Sequence, residues 1–198
     1  MKTLFDCILI CTISLSTLIA ETTISADVVS RYVWRGTDFG NAAAVQPGIE
    51  TAVGPVTVGA WGSWALNGAD GGNECDLYAS FTAGPVGITV TDYFFPVYAG
   101  VDSLTNIDMH TIELSAGTDV GTVSVLAASN VSGDDNNSTY LEFTYGALSL
   151  GVGNGAYSTD GKFSPVSIGV SASRDNFSAS YINNPDQDTS FLVFGVNF

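Results

Sequence analysis

The stretch Glu74-Cys75-Asp76-Leu77-Tyr78-Ala79-Ser80-Phe81-Thr82-Ala83 carries the first decision about the fold. Cys75, Leu77, Ala79, Phe81 and Ala83 fall on one phase of a two-residue period, and Glu74, Asp76, Tyr78, Ser80 and Thr82 on the other. Side chains of a strand alternate between faces, so this segment predicts a strand between an apolar and a polar environment. Gly84-Pro85 follows at once, a dipeptide that turns the chain.

The same unit recurs outward in both directions. Tight turns are expected at Gly54-Pro55, Gly84-Pro85, Asp119 to Gly121, Gly146-Ala147 and Arg174 to Asn176. Polar loops alternate with them at Asp38 to Ala42, Asn67 to Asn73, Val97 to Asn106, Ser132 to Ser138, Ser158 to Lys162 and Asn183 to Thr189. Five turns and six loops join twelve strands. Leu141, Phe143 and Tyr145 alternate with Tyr140, Glu142 and Thr144, and Leu192, Phe194, Val196 and Phe198 share one face of the last segment. The first of these strands is expected between Ala26 and Gly36, with Ala26, Val28, Tyr32 and Trp34 on one face and Asp27, Arg31 and Arg35, with Val29 and Val33, on the other.

Composition says which environments those faces meet. Charged residues are 13% of the chain, against about 25% in soluble proteins. No segment beyond residue 20 has the roughly 18 apolar residues of a membrane-spanning helix. Within a bilayer the remaining solution is a closed sheet, which pairs every backbone group without helices. The fold class expected is therefore all-β, a transmembrane up-and-down antiparallel barrel of about twelve strands, greasy outside and polar within. Residues 1–20 read as a secretory signal peptide, with Lys2 at its basic end and an apolar run from Leu4 to Ile19, leaving 21–198 as the barrel domain. The last strand ends on Phe198, as outer-membrane barrels commonly do, and Tyr32, Trp34 and Trp64 are expected as girdle aromatics. The expected location is the bacterial outer membrane.

Ser30-x-Tyr32-x-x-Arg35-Gly36, Ala44-Val45-Gln46-Pro47-Gly48, Gly59-x-Trp61-x-Ser63, Glu74-x-Asp76-x-Tyr78, Tyr93-Phe94-Phe95-Pro96 and Glu113-x-x-x-Gly117 occur in that order. This ordered set, from Ala26 to Gly117, resembles TorF-type porins. The resemblance implies an outer-membrane barrel of poorly defined substrate.

A net charge of −15 excludes a nucleic-acid partner, which needs a basic footprint. The pore-lining phase is expected to hold Asp27, Arg31, Arg35, Glu50, Glu74, Asp76, Tyr78, Glu113, Tyr140 and Glu142. Six acids against two arginines make that interior negative, which enriches cations and repels anions. The expected function is a porin for passive diffusion of small hydrophilic solutes, cations preferred, its partners being the bilayer and those solutes. The alternative is a structural or adhesive barrel with a plugged lumen, Arg31 and Arg35 pairing with Glu50 and other acids across it. No cofactor or metal is implied, and Asp134-Asp135-Asn136-Asn137 lacks the spacing of a calcium loop.

An enzyme is not expected. His110 is the single histidine, it shares its phase with Ile112 and Leu114, and Thr111 and Ser115 point the other way. Gly151, Gly153 and Gly155 are expected to leave room on the lumen face or to let the wall bend, rather than to bind a nucleotide. Asp92 breaks the pattern by joining the phase of Ile88, Val90 and Phe94. Either a bulge near Thr91 resets the register, or Asp92 lies at the outer interface. The solute, the oligomeric state and any gating are not legible.

Overall fold

A computed structural model describes residues 22–68, 72–96 and 110–198. The expected signal segment, residues 1–20, and the whole of the loop expected at Val97 to Asn106 lie outside the described residues.

Fourteen strands are present among the described residues. They are β1 (Thr22–Val29), β2 (Val33–Trp34), β3 (Thr37–Asp38), β4 (Ala44–Val53), β5 (Val56–Ala65), β6 (Glu74–Ala83) and β7 (Val86–Phe94). After them come β8 (His110–Val120), β9 (Val123–Ser132), β10 (Thr139–Tyr145), β11 (Leu148–Gly153), β12 (Ser164–Arg174), β13 (Phe177–Asn184) and β14 (Thr189–Asn197). Twelve of these form one closed antiparallel barrel in which each strand pairs with its neighbours in sequence, and β1 closes the ring against β14. The remaining two, β2 and β3, form a separate two-stranded hairpin.

All five expected tight turns join wall strands. Closure uses three residue pairs, Asp27 with Asn197, Val28 with Val196 and Val29 with Gly195. The Phe198 amide adds a bond to the Ala26 carbonyl at 2.9 Å.

The faces are sorted as the alternation requires. On β6, Glu74 and Asp76 are buried inward while Leu77, Ala79 and Phe81 are exposed on the outer surface. Large apolar side chains stand exposed on every side of the wall, among them Ile49, Leu77, Val90, Leu114, Phe143, Leu150, Val170, Leu192 and Phe194. The buried set is instead rich in polar groups, including Gln46, Ser63, Glu74, Asp76, Glu113 and Asn130. A water-soluble protein buries its apolar side chains, so this arrangement is inside-out.

Asp92 keeps its phase. The pairing of β7 with β6 and with β8 runs unbroken past Thr91, so no bulge intervenes, and Asp92 sits on the outer face between Leu77 and Ile112. His110 Nδ1 lies 2.7 Å from Asp92 Oδ1, which gives that outward carboxylate a partner. His110 itself is only 6% exposed and stacks on Phe94 at 4.9 Å.

The strand expected from Ala26 to Gly36 is the main departure. β1 ends at Val29, and the chain leaves the wall rather than continuing along it. Residues 30–43 fold back as the β2–β3 hairpin, which makes no ladder with the wall strands. Its local chemistry accounts for this. Val33 pairs with Asp38 and Trp34 with Thr37, leaving Arg35-Gly36 as a two-residue turn. Both turn residues have positive φ, 49° and 82°, the backbone of a type I′ hairpin.

Candidate functional site

The β2–β3 hairpin lies inside the barrel near its loop end, and the side chains it carries define the site. Gly36 is wedged at one wall: a Cβ there would stand 1.9 Å from the Val166 carbonyl oxygen on β12. Only glycine combines that approach with the left-handed backbone. Asn184, fully buried at the end of β13, donates from Nδ2 to the Gly36 carbonyl at 3.2 Å.

Arg35 reaches the other side. Nη1 donates to Glu113 Oε2 at 2.5 Å and Nη2 to Glu113 Oε1 at 3.0 Å, a two-pronged pair with β8. Nη1 also donates to Tyr157 Oη at 2.5 Å. The guanidinium is flanked by the rings of Trp34 at 4.2 Å, Tyr140 at 4.5 Å and Tyr157 at 5.2 Å. Side-chain exposure is 8% for Arg35 and 3% for Glu113, so the pair is buried. Burial alone works against the cation, but the Glu113 carboxylate outweighs it and holds Arg35 more firmly protonated than usual. Such a pair also offsets the roughly 1 kcal/mol by which a non-glycine residue resists the left-handed region.

Tyr32, just before β2, makes the second anchor. Its hydroxyl donates to Glu74 Oε2 at 2.7 Å, and its ring packs on Trp61 at 5.6 Å and Phe39 at 5.3 Å. Burial, then the Glu74 charge, pushes its phenol upward, so it remains a donor. Trp34 packs on Tyr93 at 5.5 Å and Tyr157 at 5.9 Å. Tyr157 stands on a single 3-10 turn, Gly155–Tyr157, and its phenol is pushed up to about 12, chiefly by burial. The hairpin therefore touches β6, β7, β8, β12 and β13, and bridges the lumen.

The residues expected to line a pore divide into two groups. Tyr32's partner Glu74 and Arg35's partner Glu113 hold the hairpin, with Asp76 beside Glu74 on the inner face of β6. Below them, toward the tight turns, the acids are matched by neutral donors. Asp27 accepts from Asn197 Nδ2 at 2.6 Å, Glu50 from the Tyr78 hydroxyl at 3.0 Å and Glu142 from the Tyr140 hydroxyl at 2.8 Å. Tyr78 lies over Gly59, and Tyr140 over Gly151; a Cβ at Gly59 would stand 2.3 Å from Tyr78 Cζ, and one at Gly151 2.1 Å from the Tyr140 hydroxyl. Gly153 likewise faces Tyr157, so Gly151 and Gly153 leave room on the inner face as expected. A recess of about 370 Å³ at the turn end is lined by Gly117, Asp119, Ser124, Leu126, Glu142 and Thr144.

Arg31 and Arg35 are corrected. Neither stands on the wall, and neither pairs with Glu50, because the chain turns inward after Val29. Arg31 pairs with Asp38 within the inturned segment, its guanidinium 5.6 Å from the Phe191 ring. Tyr32 and Trp34 are likewise plug residues rather than girdle aromatics, whereas Trp64 does face outward and is 44% exposed. Tyr93, Tyr157, Phe39 and Asp38 belong to the site and were not foreseen. The one signal for them was Gly36, which suits a hairpin turn between Tyr-Val-Trp and Thr-Asp, whereas Arg35 beside it does not. Among the described residues no cluster of three or more metal-ligating side chains is present.

Fold and site together define a twelve-stranded up-and-down β-barrel with an inward hairpin across its lumen. The chain belongs to the family described as "Bacterial protein of unknown function (Gcw_chp)", whose model matches residues 19–191. No curated protein and no solved structure matches it. The resemblance to TorF-type porins is overturned by that family match. Its motifs are short runs of aromatic, acidic and glycine residues at period two, which the wall of any barrel with a polar interior produces. A closed β-barrel in a bacterial protein is consistent with an outer-membrane location.

Proposed function

We propose that this chain is an outer-membrane barrel, closed at rest, that passes small hydrophilic solutes only when the β2–β3 hairpin leaves the lumen. The observation that carries this reading is the bidentate Arg35–Glu113 pair, which fastens the hairpin across the interior from β8. An unobstructed porin has no such bridge. The apolar outer surface suits hydrocarbon, with the short turns on the periplasmic side and the long loops outside. Once the hairpin withdraws, Arg35 no longer neutralises Glu113, and Asp27, Glu50, Asp76, Glu113 and Glu142 leave a negative lining. Such a lining favours cations.

The plugged structural or adhesive barrel is the reading this one must beat, since the hairpin supports both up to the point of opening. Location is tested by fractionation followed by electrophoresis with and without boiling. The proposal expects an outer-membrane band that shifts on heating; a soluble band that does not shift would end it. Passage is tested by deleting residues 33–38, joined by two glycines, and recording in planar bilayers. Silence from a folded deletion variant would favour the structural role.

A further inference from the structure

On its outer side the hairpin forms part of a recess of about 390 Å³. Trp34, Phe39, Tyr93, Phe95 and Tyr157 supply aromatic surface, and Asn130, Asp134, Asp135 and Asn136 supply polar groups. Among the described residues that line it there is no lysine, arginine or histidine. The only charged groups among the described lining residues are the carboxylates of Asp134 and Asp135. Asn130 is 8% exposed, donates from Nδ2 to Asp134 Oδ2 at 2.8 Å, and leaves its Oδ1 without a partner among the described residues. Asp135 stands exposed at the rim. The Asp134 carboxylate stays ionised to low pH.

We infer that this recess binds a small organic ammonium ion with an aromatic or apolar body. The N–H donors would meet the Asp134 and Asp135 carboxylates at the rim, and the body would lie against Phe39, Phe95 and Tyr93. Aromatic faces attract cations through their quadrupole, and their edges suit a flat apolar group. An anion would meet two carboxylates and no cationic side chain, which excludes it. Trp34, Thr37 and Phe39 come from the hairpin itself, so an occupant touches the plug as well as the wall. The inference holds whether or not the barrel conducts.

The test is calorimetric titration of the refolded full chain in detergent with phenethylamine, 2-phenylethanol and phenylacetate, against protein-free micelles. Saturable binding is expected for the amine, weaker binding for the alcohol and none for the acid. Asp135→Asn should weaken the amine about tenfold, the effect of losing one charged contact, and leave the alcohol unchanged. Phe95→Ala should weaken both. The inference is overturned if phenylacetate binds as tightly as phenethylamine, if the amine binds only as it does to empty micelles, or if both variants bind it like the parent.

Discussion

Arg35 and Glu113 are 78 residues apart in sequence, yet the guanidinium of one clasps both carboxylate oxygens of the other at 2.5 and 3.0 Å inside the barrel. β8 is the fifth strand round the wall from β1, so this pair crosses the lumen rather than running along its side. Removing one member strands a buried charge. Glu113→Gln should loosen the hairpin by about 3–5 kcal/mol. Faster hydrogen exchange at the Phe39 amide, which bonds the Tyr32 carbonyl at 2.8 Å, reports it. The double variant Arg35→Met with Glu113→Gln should exchange more slowly than Glu113→Gln alone, because no unpaired charge remains.

Gly36 offers a way to unseat the hairpin without touching a charge. A methyl group there would sit 1.9 Å from the Val166 oxygen, on a backbone with φ of +82°. Gly36→Ala is expected to keep the barrel folded, as heat-shifted electrophoresis would register, while the hairpin becomes accessible to limited proteolysis. Unchanged resistance to protease would mean that the wedge at β12 does not hold the hairpin.

Asp134 gives a pH dependence confined to one loop. Partial burial disfavours its charge, but hydrogen bonds from Ser138, Asn130 and the Asn136 amide outweigh that and hold its pKa down at about 2. A carboxylate depressed in the folded state stabilises it fully above its unfolded value, near 3.9, and loses that contribution as pH falls through the folded value. Amide exchange at Asn136 and Ser138 should therefore quicken as pH falls from about 4 toward about 2, after correction for intrinsic rates. Asp134→Ala should show the faster exchange at neutral pH and no such window.

Ala79 sits mid-wall on the outer face, paired with Val58 and Val90. An arginine facing hydrocarbon at mid-depth costs about 2–4 kcal/mol. Ala79→Arg should lower stability by that order in lipid vesicles, measured by denaturant unfolding, whereas Ser80→Arg, one position along and facing inward, should cost less. Equal costs at both positions would contradict a lipid-facing outer surface.

Much of the wall was legible because a strand writes its two environments at period two. Glu74 to Ala83 and Leu192 to Val196 show which face is which, and the glycine-containing turns mark where each hairpin reverses. The inturned hairpin was not legible for the same reason. Ala26 to Gly36 also alternates, and alternation does not say where a strand leaves its sheet; only Arg35-Gly36, two residues at positive φ, made the difference. Acid partners across the lumen were foreseen for the arginines, but not which acid. Arg35 chooses Glu113 rather than Glu50 because the hairpin carries it across the barrel, a three-dimensional consequence that spacing along the chain does not encode. Asp92 was resolved by a neighbour on the next strand, His110, whose phase was read without its contact.

Conductance decides whether the hairpin is a stopper. Parent protein and the variant lacking residues 33–38 would be recorded in planar bilayers under a salt gradient, with folding verified beforehand by the heat shift. The account predicts a nearly silent parent and a conducting variant whose reversal potential is displaced toward the cation equilibrium value, less so after Glu50→Gln with Glu142→Gln. A parent that conducts as freely as the variant, or a folded variant as silent as the parent, would contradict it.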